Sequence, residues 1–227
     1  MSGSSRLTAG RFNAPMVELP SDLPVIERDV VRVVVQDARG DVLLFRTREL
    51  TMPELDYWWE LPGGGFNDGE TYVGAAVREL REETGIRIGP EQVGPPTWRR
   101  TATFRHRASR HLQHEVVAVV HLAAVSPGVN EDQRLDYEKE DYVDFRWWAV
   151  ADIVASTERF YPGRLPELLP DLLAGRAVDE PFELWFVNGY FGSTSATSRA
   201  QNTRGSVVTD RDRTWGRACS HVRRQWE

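Results

Sequence analysis

The chain has a single cysteine, Cys219, in 227 residues, so it can form no internal disulfide. It has one lysine, Lys139, its other basic residues being arginine. We attach no function to that bias. Long apolar runs are also missing. No window approaches the roughly 20 apolar residues of a membrane-spanning helix, and the opening MSGSSRLTAGRFNAPM holds no apolar stretch fit to serve as a secretory h-region. Nor is there a basic excess: 28 Lys and Arg against 34 Asp and Glu give a formal charge of -6 and a pI near 5.5. That excludes a general polyanion binder, because affinity for nucleic acid rests on cationic side chains displacing counterions from phosphate. The expectation is a cytoplasmic protein with no membrane contact and no specific nucleic-acid partner. A small phosphorylated ligand stays compatible with this charge if metal ions supply the positive counterpart.

What is present suffices for a core. Hydrophobic residues make up 41% and charged residues 27%, as in an ordinary soluble domain. Residues 1–26, polar with scattered Ser, Gly and Pro, read as a flexible arm. DVVRVVVQ and DVLLFRTR then read as two strands joined by a turn bracketed by Asp37 and Gly40. HEVVAVVHLAAV is a strand buried on both faces, VDFRWWAV a further strand, and RLPELLPDLLAG a closing helix ended by Gly175. Mixed strands and helices give an α/β fold over residues 27–176. The apolar 177–192 segment should pack on the domain or on a partner, and residues 193–227 read as a polar, disordered tail.

Between the strands lies GGGFNDGETYVGAAVRELREETGI. A helix should start near Thr71, capped by Asp68 or Thr71, with Glu70 near the positive end of its dipole and Gly85 ending it. Val73, Ala76, Val77, Leu80 and Thr84 mark the core face. Glu79, Glu82 and Glu83 share one stripe about a third of a turn away. Carboxylates so placed repel by about 0.2–0.5 kcal/mol per pair. Arg78 and Arg81 could offset this on a salt-bridged solvent face, and so could divalent cations, which as hard ions take several oxygens. The upstream glycines tilt the balance toward a metal site, since they let backbone approach closely and free its carbonyls.

Gly64, five residues, Glu70, seven residues, then Arg78-Glu79-Leu80, Glu82-Glu83 and Gly85-Ile86 resemble the Nudix box at every specified position. The box covers residues 64–86, and the strand order around it resembles a Nudix domain from about 27 to 175. The resemblance implies an α/β/α sandwich with a mixed central sheet that hydrolyses a nucleoside diphosphate linked to another group. It implies Mg²⁺ or Mn²⁺ on Glu79, Glu82 and Glu83 with the carbonyl of Gly63, and an Arg78–Glu70 pair that holds the loop. It also implies a further acid outside the box. Glu138, Glu140, Asp141, Asp144 and Glu115 are the candidates, with Glu138 and Glu140 ranked first.

For the substrate, Trp59 and Phe45 are read as stacking surfaces and Arg46 and Arg105 as phosphate holders, with Trp58, Trp147 and Trp148 also available. His106, His111 and His114 could sit over the cleft. Strand alternation sends one Trp of each pair inward, so only one of each can face ligand. Signatures resembling those of coenzyme A or NADH pyrophosphatases are missing, the proline typical of the ADP-ribose group is displaced to Pro95 and Pro96, and Phe104 stands where a diadenosine-polyphosphate enzyme favours tyrosine. Elimination leaves a MutT-like nucleoside triphosphate pyrophosphohydrolase, the alternatives being an ADP-ribose or nucleotide-sugar pyrophosphatase and a non-catalytic ligand sensor. The resemblance is also compatible with a homodimer.

Overall fold

β-branched residues dominate VIERDVVRVVVQ, and in the computed structural model, which describes residues 23–184, they form strand β1 (Val25–Gln36). Val30, Val31 and Val33 to Val35 are inaccessible to solvent, so β1 is covered on both faces, as strands inside α/β sheets are. At its end the Asp37 carboxylate accepts hydrogen bonds from the backbone N–H groups of Arg39 (2.8 Å) and Asp41 (2.9 Å). Gly40 turns the chain with φ +91° into β2 (Val42–Thr47).

β1 and β2 pair only beside this turn, Gln36 opposite Val42. Beyond it they diverge. β1 runs parallel to β5 (Ser109–His121), while β2 lies antiparallel to both β3 (Trp58–Glu60) and β6 (Tyr142–Trp148). The two halves are extended by β4 (Trp98–His106), antiparallel to β5, by β7 (Phe160–Tyr161), parallel to β3, and by β8 (Val178–Leu184), parallel to β4. The sheet is therefore mixed. β8 begins the stretch expected to pack as an apolar extension; the rest of that stretch and the 193–227 tail lie outside the described residues.

The divergence leaves an edge of β1 for the glycine loop. Val31 N donates to Gly64 O (3.0 Å) and Val33 N to Pro62 O (2.9 Å). Only glycine fits at position 63: φ is +137°, and a Cβ there would stand 2.1 Å from the Val31 carbonyl oxygen.

Four helices complete the described chain: α1 (Tyr72–Thr84), α2 (Asp136–Asp141), α3 (Val150–Ala155) and α4 (Leu165–Leu173). Thr71 caps α1 by accepting from Gly74 N at 3.2 Å, and Gly85 closes it in the left-handed region at φ 72°. Leu165, Leu168, Leu169 and Leu172 of α4 join Val34, Trp59, Trp98 and Trp148 in the main core cluster. α1 lies against β1 outside that cluster, which gives helical layers on two sides of the sheet.

Candidate active site

α1 buries Ala75, Ala76, Glu79, Leu80, Glu83 and Thr84. Two of the three carboxylates thus sit within the buried face, whereas the apolar periodicity placed all three beside it and put half-buried Val73 and Val77 in the core. The glycine loop is the cause, because it covers the helix at this point. Glu83, 1% exposed, accepts from Gly63 N at 2.8 Å and from the Tyr142 hydroxyl at 2.9 Å. A Cβ on Gly64 would meet the Glu79 carboxylate at 2.4 Å.

Burial first, then the charges of Glu79 and Glu138, push the Glu83 carboxyl well above the usual carboxylate range. Burial likewise raises Glu79; the Arg78 guanidinium opposes the shift, and Glu138 and Glu82 add to it. Glu138, on α2, therefore belongs electrostatically with the helix carboxylates, and it lines the same cavity while accepting from Leu135 N at 2.8 Å.

Arg78 organises this acidic group. Its Nε and one terminal nitrogen grip Glu70 at 3.0 and 2.8 Å, the second of these nitrogens also donates to Gly65 O at 2.7 Å, and the other terminal nitrogen reaches Glu79 at 2.7 Å and Glu82 at 3.2 Å. The bidentate fork ties loop to helix in a way that a lysine could not. Arg81, half exposed, pairs with Glu82 at 3.3 Å, a surface pair of little consequence.

Hydrogen bonding to Arg78 is the main reason that the Glu70 carboxyl lies below its ordinary value. A carboxyl depressed in the folded state stabilises fully above its unfolded value, and that stabilisation is lost as pH falls through the folded one. Glu70→Gln should therefore melt below wild type at neutral pH, with the gap closing through the acid range. Thermal melts of both proteins from pH 7 to pH 3 check this; a gap constant with pH would refute it.

Among the described residues no three acidic, histidine or cysteine side chains stand in ligand geometry about one point. Arg78 draws Glu79 and Glu82 to itself, and Gly63 and Tyr142 hold Glu83. The donor chemistry nevertheless fits a hard divalent cation, since the group offers only oxygens, Glu79, Glu83 and Glu138 are buried, and they repel one another. Burial and mutual repulsion disfavour the charged forms of Glu79 and Glu83, and a bound cation would offset both. Gly63 lines the cavity and meets the group through its N–H on Glu83.

The cavity extends from this group toward Arg28, Arg32 and the rings of Trp58, Phe104 and Tyr161. Of the four substrate residues read from the sequence, the structure brings only Arg105 to it. Phe45 is fully buried, stacked on Tyr142 at 4.8 Å. Trp59 is in the main core and donates its indole N–H to Glu158 at 2.6 Å. Arg46 lies over the ring of Tyr57 at 4.3 Å. Arg46 and Trp59, paired across β2 and β3, fall on the sheet face turned away from the cavity, whereas Phe45 shares the face of Glu60 and Thr47 and is covered there by Tyr142. His106 and His111 do line the cavity, whereas His114 pairs with Glu27 at 2.9 Å.

Among the candidate outer acids, Glu140 is exposed beside Arg107 at 3.7 Å, and Asp144 is exposed on β6. Glu115 is locked in a buried ion network with Arg32 and Arg100. Asp141 lines the cavity; burial raises its carboxyl, and the charges it feels are Arg107, His106 and Glu49. Glu60, Arg28 and Arg32 escaped the sequence reading. Glu60, 8% exposed, lines the cavity and accepts from the Trp58 indole at 2.9 Å. Its signal was available in WWE, where it shares a strand face with Trp58.

A family model described as the NUDIX domain matches residues 27–172. The RNA pyrophosphohydrolase of Dinoroseobacter shibae is 24% identical over 158 residues, 62% of this chain and 89% of that protein. The RNA pyrophosphohydrolase of Halorhodospira halophila is 31% identical over 121 residues, 48% of this chain and 65% of that protein. Among solved structures, the MutT protein of Bacillus halodurans gives a TM-score of 0.46 at 16% identity over 70% of this chain and 91% of its own; that likeness does not bear on the reaction. The matched span runs from the strand that receives the glycine loop to the end of α4, with every box residue inside it, and the chain is a Nudix hydrolase.

Proposed function

We propose that the protein hydrolyses the P–O–P bridge of a nucleoside 5′-triphosphate and releases pyrophosphate, with Mg²⁺ or Mn²⁺ held by Glu79, Glu82, Glu83 and Glu138 and by Gly63. The observation that supports this best is the set of buried, mutually repelling carboxylates beside a glycine loop, in a cavity that also presents Arg28 and Arg32. When bound, the cation neutralises phosphate charge and lowers the pKa of a water that attacks phosphorus. The chain's own residues supply the positioning. The 63–65 backbone, without Cβ atoms, admits phosphate oxygens closely, Arg28 and Arg32 donate to them, and Arg78 keeps loop and helix in register. Arg105 serves the same polyphosphate from the far side.

A second reading keeps this chemistry and replaces the free nucleotide with the triphosphorylated 5′ end of RNA. The two RNA pyrophosphohydrolase relatives favour it; the net charge of -6 favours the free nucleotide. An assay of pyrophosphate and phosphate release covers both, offered nucleoside triphosphates, ADP-ribose, a nucleotide sugar and a 5′-triphosphorylated RNA oligonucleotide, with Mg²⁺ or with excess EDTA. Pyrophosphate release from triphosphates that EDTA abolishes is the expected result. Turnover of RNA alone would select the second reading, and turnover of only ADP-ribose or the nucleotide sugar would overturn both.

A further inference from the structure

Arg28 stands opposite Gln113 in the parallel β1–β5 ladder, and both residues line the cavity. Gln113 is 1% exposed, and Glu115, two residues further on, shares its strand face. A carboxylate only accepts hydrogen bonds and a guanidinium only donates them, so the two ends of the amide between them are told apart by their partners. The Gln113 NH₂ donates to Glu115 Oε1 at 2.9 Å, and the Gln113 oxygen accepts from Arg28 Nη2 at 2.8 Å and from Nε at 3.1 Å. The amide is thus fixed from behind by the buried ion network, and its oxygen grips one whole edge of the Arg28 guanidinium.

Arg28 differs in charge balance from the two arginines behind it. Arg32 faces Glu115 and donates to Leu61 O at 3.3 Å, and Arg100 is paired with Glu115 and Glu183. Among the described residues Arg28 makes no salt bridge. Its anchor is a neutral amide, which orients the guanidinium and leaves the charge uncancelled. Nε and Nη2 are occupied by Gln113, so Nη1 is the nitrogen that faces a ligand. It lies beside the glycine loop, 3.6 Å from where a Cβ on Gly65 would stand.

We propose that Gln113 is a positioning residue that holds Arg28 in the pose in which its Nη1 receives phosphate. The inference rests on the reading above in which Arg28 donates to phosphate oxygens, and adds what sets that guanidinium in place. A long, free arginine side chain gives up rotamer entropy when it closes on an anion, and ordering it beforehand removes that cost from binding. A glutamate at position 113 would hold Arg28 as firmly and cancel its charge. An apolar residue there would leave the charge and release the side chain. The amide holds Arg28 and spares its charge.

The test is a double-mutant cycle on the affinity for methylenediphosphonate in the presence of Mg²⁺, measured by calorimetry. Its P–C–P bridge cannot be hydrolysed, so the result is independent of turnover. Arg28→Met is expected to raise Kd about tenfold or more, and Gln113→Met, which keeps side-chain length, about three- to tenfold. The double variant should bind no more weakly than Arg28→Met alone, because Gln113 acts through Arg28; a general loosening of the fold would instead add to the loss. In Gln113→Met the KM for triphosphates should rise by more than kcat falls. A second measurement needs no variant at position 113: in ligand-free wild type the Arg28 Nε–H, assigned in ¹⁵N spectra by its disappearance in Arg28→Lys, should exchange with solvent more slowly than that of exposed Arg87. Should Gln113→Met not fold, this exchange rate decides alone. Additive losses in the cycle, unchanged affinity in Gln113→Met, or exchange at Arg28 as fast as at Arg87 would overturn the proposal. Unchanged affinity in Arg28→Met would overturn it together with the phosphate role given to Arg28 above. Full coupling without hydrolysis of triphosphates would retain the proposal and remove the hydrolytic reading; hydrolysis with additive losses would do the reverse.

Discussion

Glu82→Gln is expected to lower kcat by about 10²–10³-fold, the usual consequence of removing one preorganised charge from a site that stabilises a phosphoryl transition state. It should do so with little loss of thermal stability. Glu82 is the most accessible of the helix carboxylates, its side chain 34% exposed, and its contacts are salt bridges to Arg78 at 3.2 Å and to Arg81 at 3.3 Å. Partly exposed pairs of this kind contribute about 0–1 kcal/mol each, and glutamine keeps both the length of the side chain and an acceptor oxygen. Glu83→Gln would be harder to interpret. Both Glu83 oxygens accept, from the Gly63 N–H and the Tyr142 hydroxyl, so an amide there must turn an NH₂ toward a donor, and structure and charge would be lost together. Glu82 therefore separates the charge from the scaffold. Steady-state kinetics on the best substrate, beside thermal melts, give the answer. Loss of activity with an unchanged melt supports the carboxylate's role at the metal; unchanged kcat would remove Glu82 from it.

Much of the scaffold was legible because its signals are local. The β1–β2 turn announces itself by Asp37 and Gly40, and the ends of α1 by Thr71 and Gly85. The box residues are close in sequence, so their grouping on one helix follows from spacing. What lay beyond reach depends on parity and on distant covering. In WWE the alternation guarantees that Trp58 and Trp59 part, yet which of them meets the core is decided by α4 and Trp148, and Trp59 went there. Phe45 and Arg46 miss the cavity for a similar reason, since β6 stacks Tyr142 on Phe45 and leaves Arg46 over Tyr57. The burial of Glu79 and Glu83 could not come from helix periodicity, because what buries them is a loop docked on β1. β4, whose RRTATFRH mixes charge with small residues, gave no clean period although it lies between β5 and β8.

Glu115→Ala is expected to destabilise the folded protein by about 3–5 kcal/mol, as removal of one partner from a buried ion network does. The Glu115 and Arg100 side chains are wholly inaccessible, with Arg100 at 3.2 Å from one Glu115 oxygen and in contact with Glu183 as well. The other Glu115 oxygen takes the Tyr161 hydroxyl at 2.7 Å and faces Arg32 Nε at 3.5 Å. Burial, followed by the Glu115 charge, holds the Tyr161 hydroxyl far above its ordinary pKa, so it stays a donor to the carboxylate. Both guanidinium groups also lie about 5 Å from the Tyr161 ring, at 5.0 and 5.1 Å. Without Glu115 two buried cations remain beside that ring without the carboxylate they share. Urea unfolding should show a midpoint lowered by at least about 1 M, since the slope for small proteins is at most about 3 kcal/mol per molar. Glu115→Met combined with Arg100→Met should regain part of the loss, because it removes a charge along with its partner instead of stranding it. A midpoint unchanged in Glu115→Ala would show that the network contributes nothing to the fold. Since Arg32 and Tyr161 both line the cavity, a loosened network should also weaken phosphate binding, raising KM for triphosphates in the double variant even where folding is recovered.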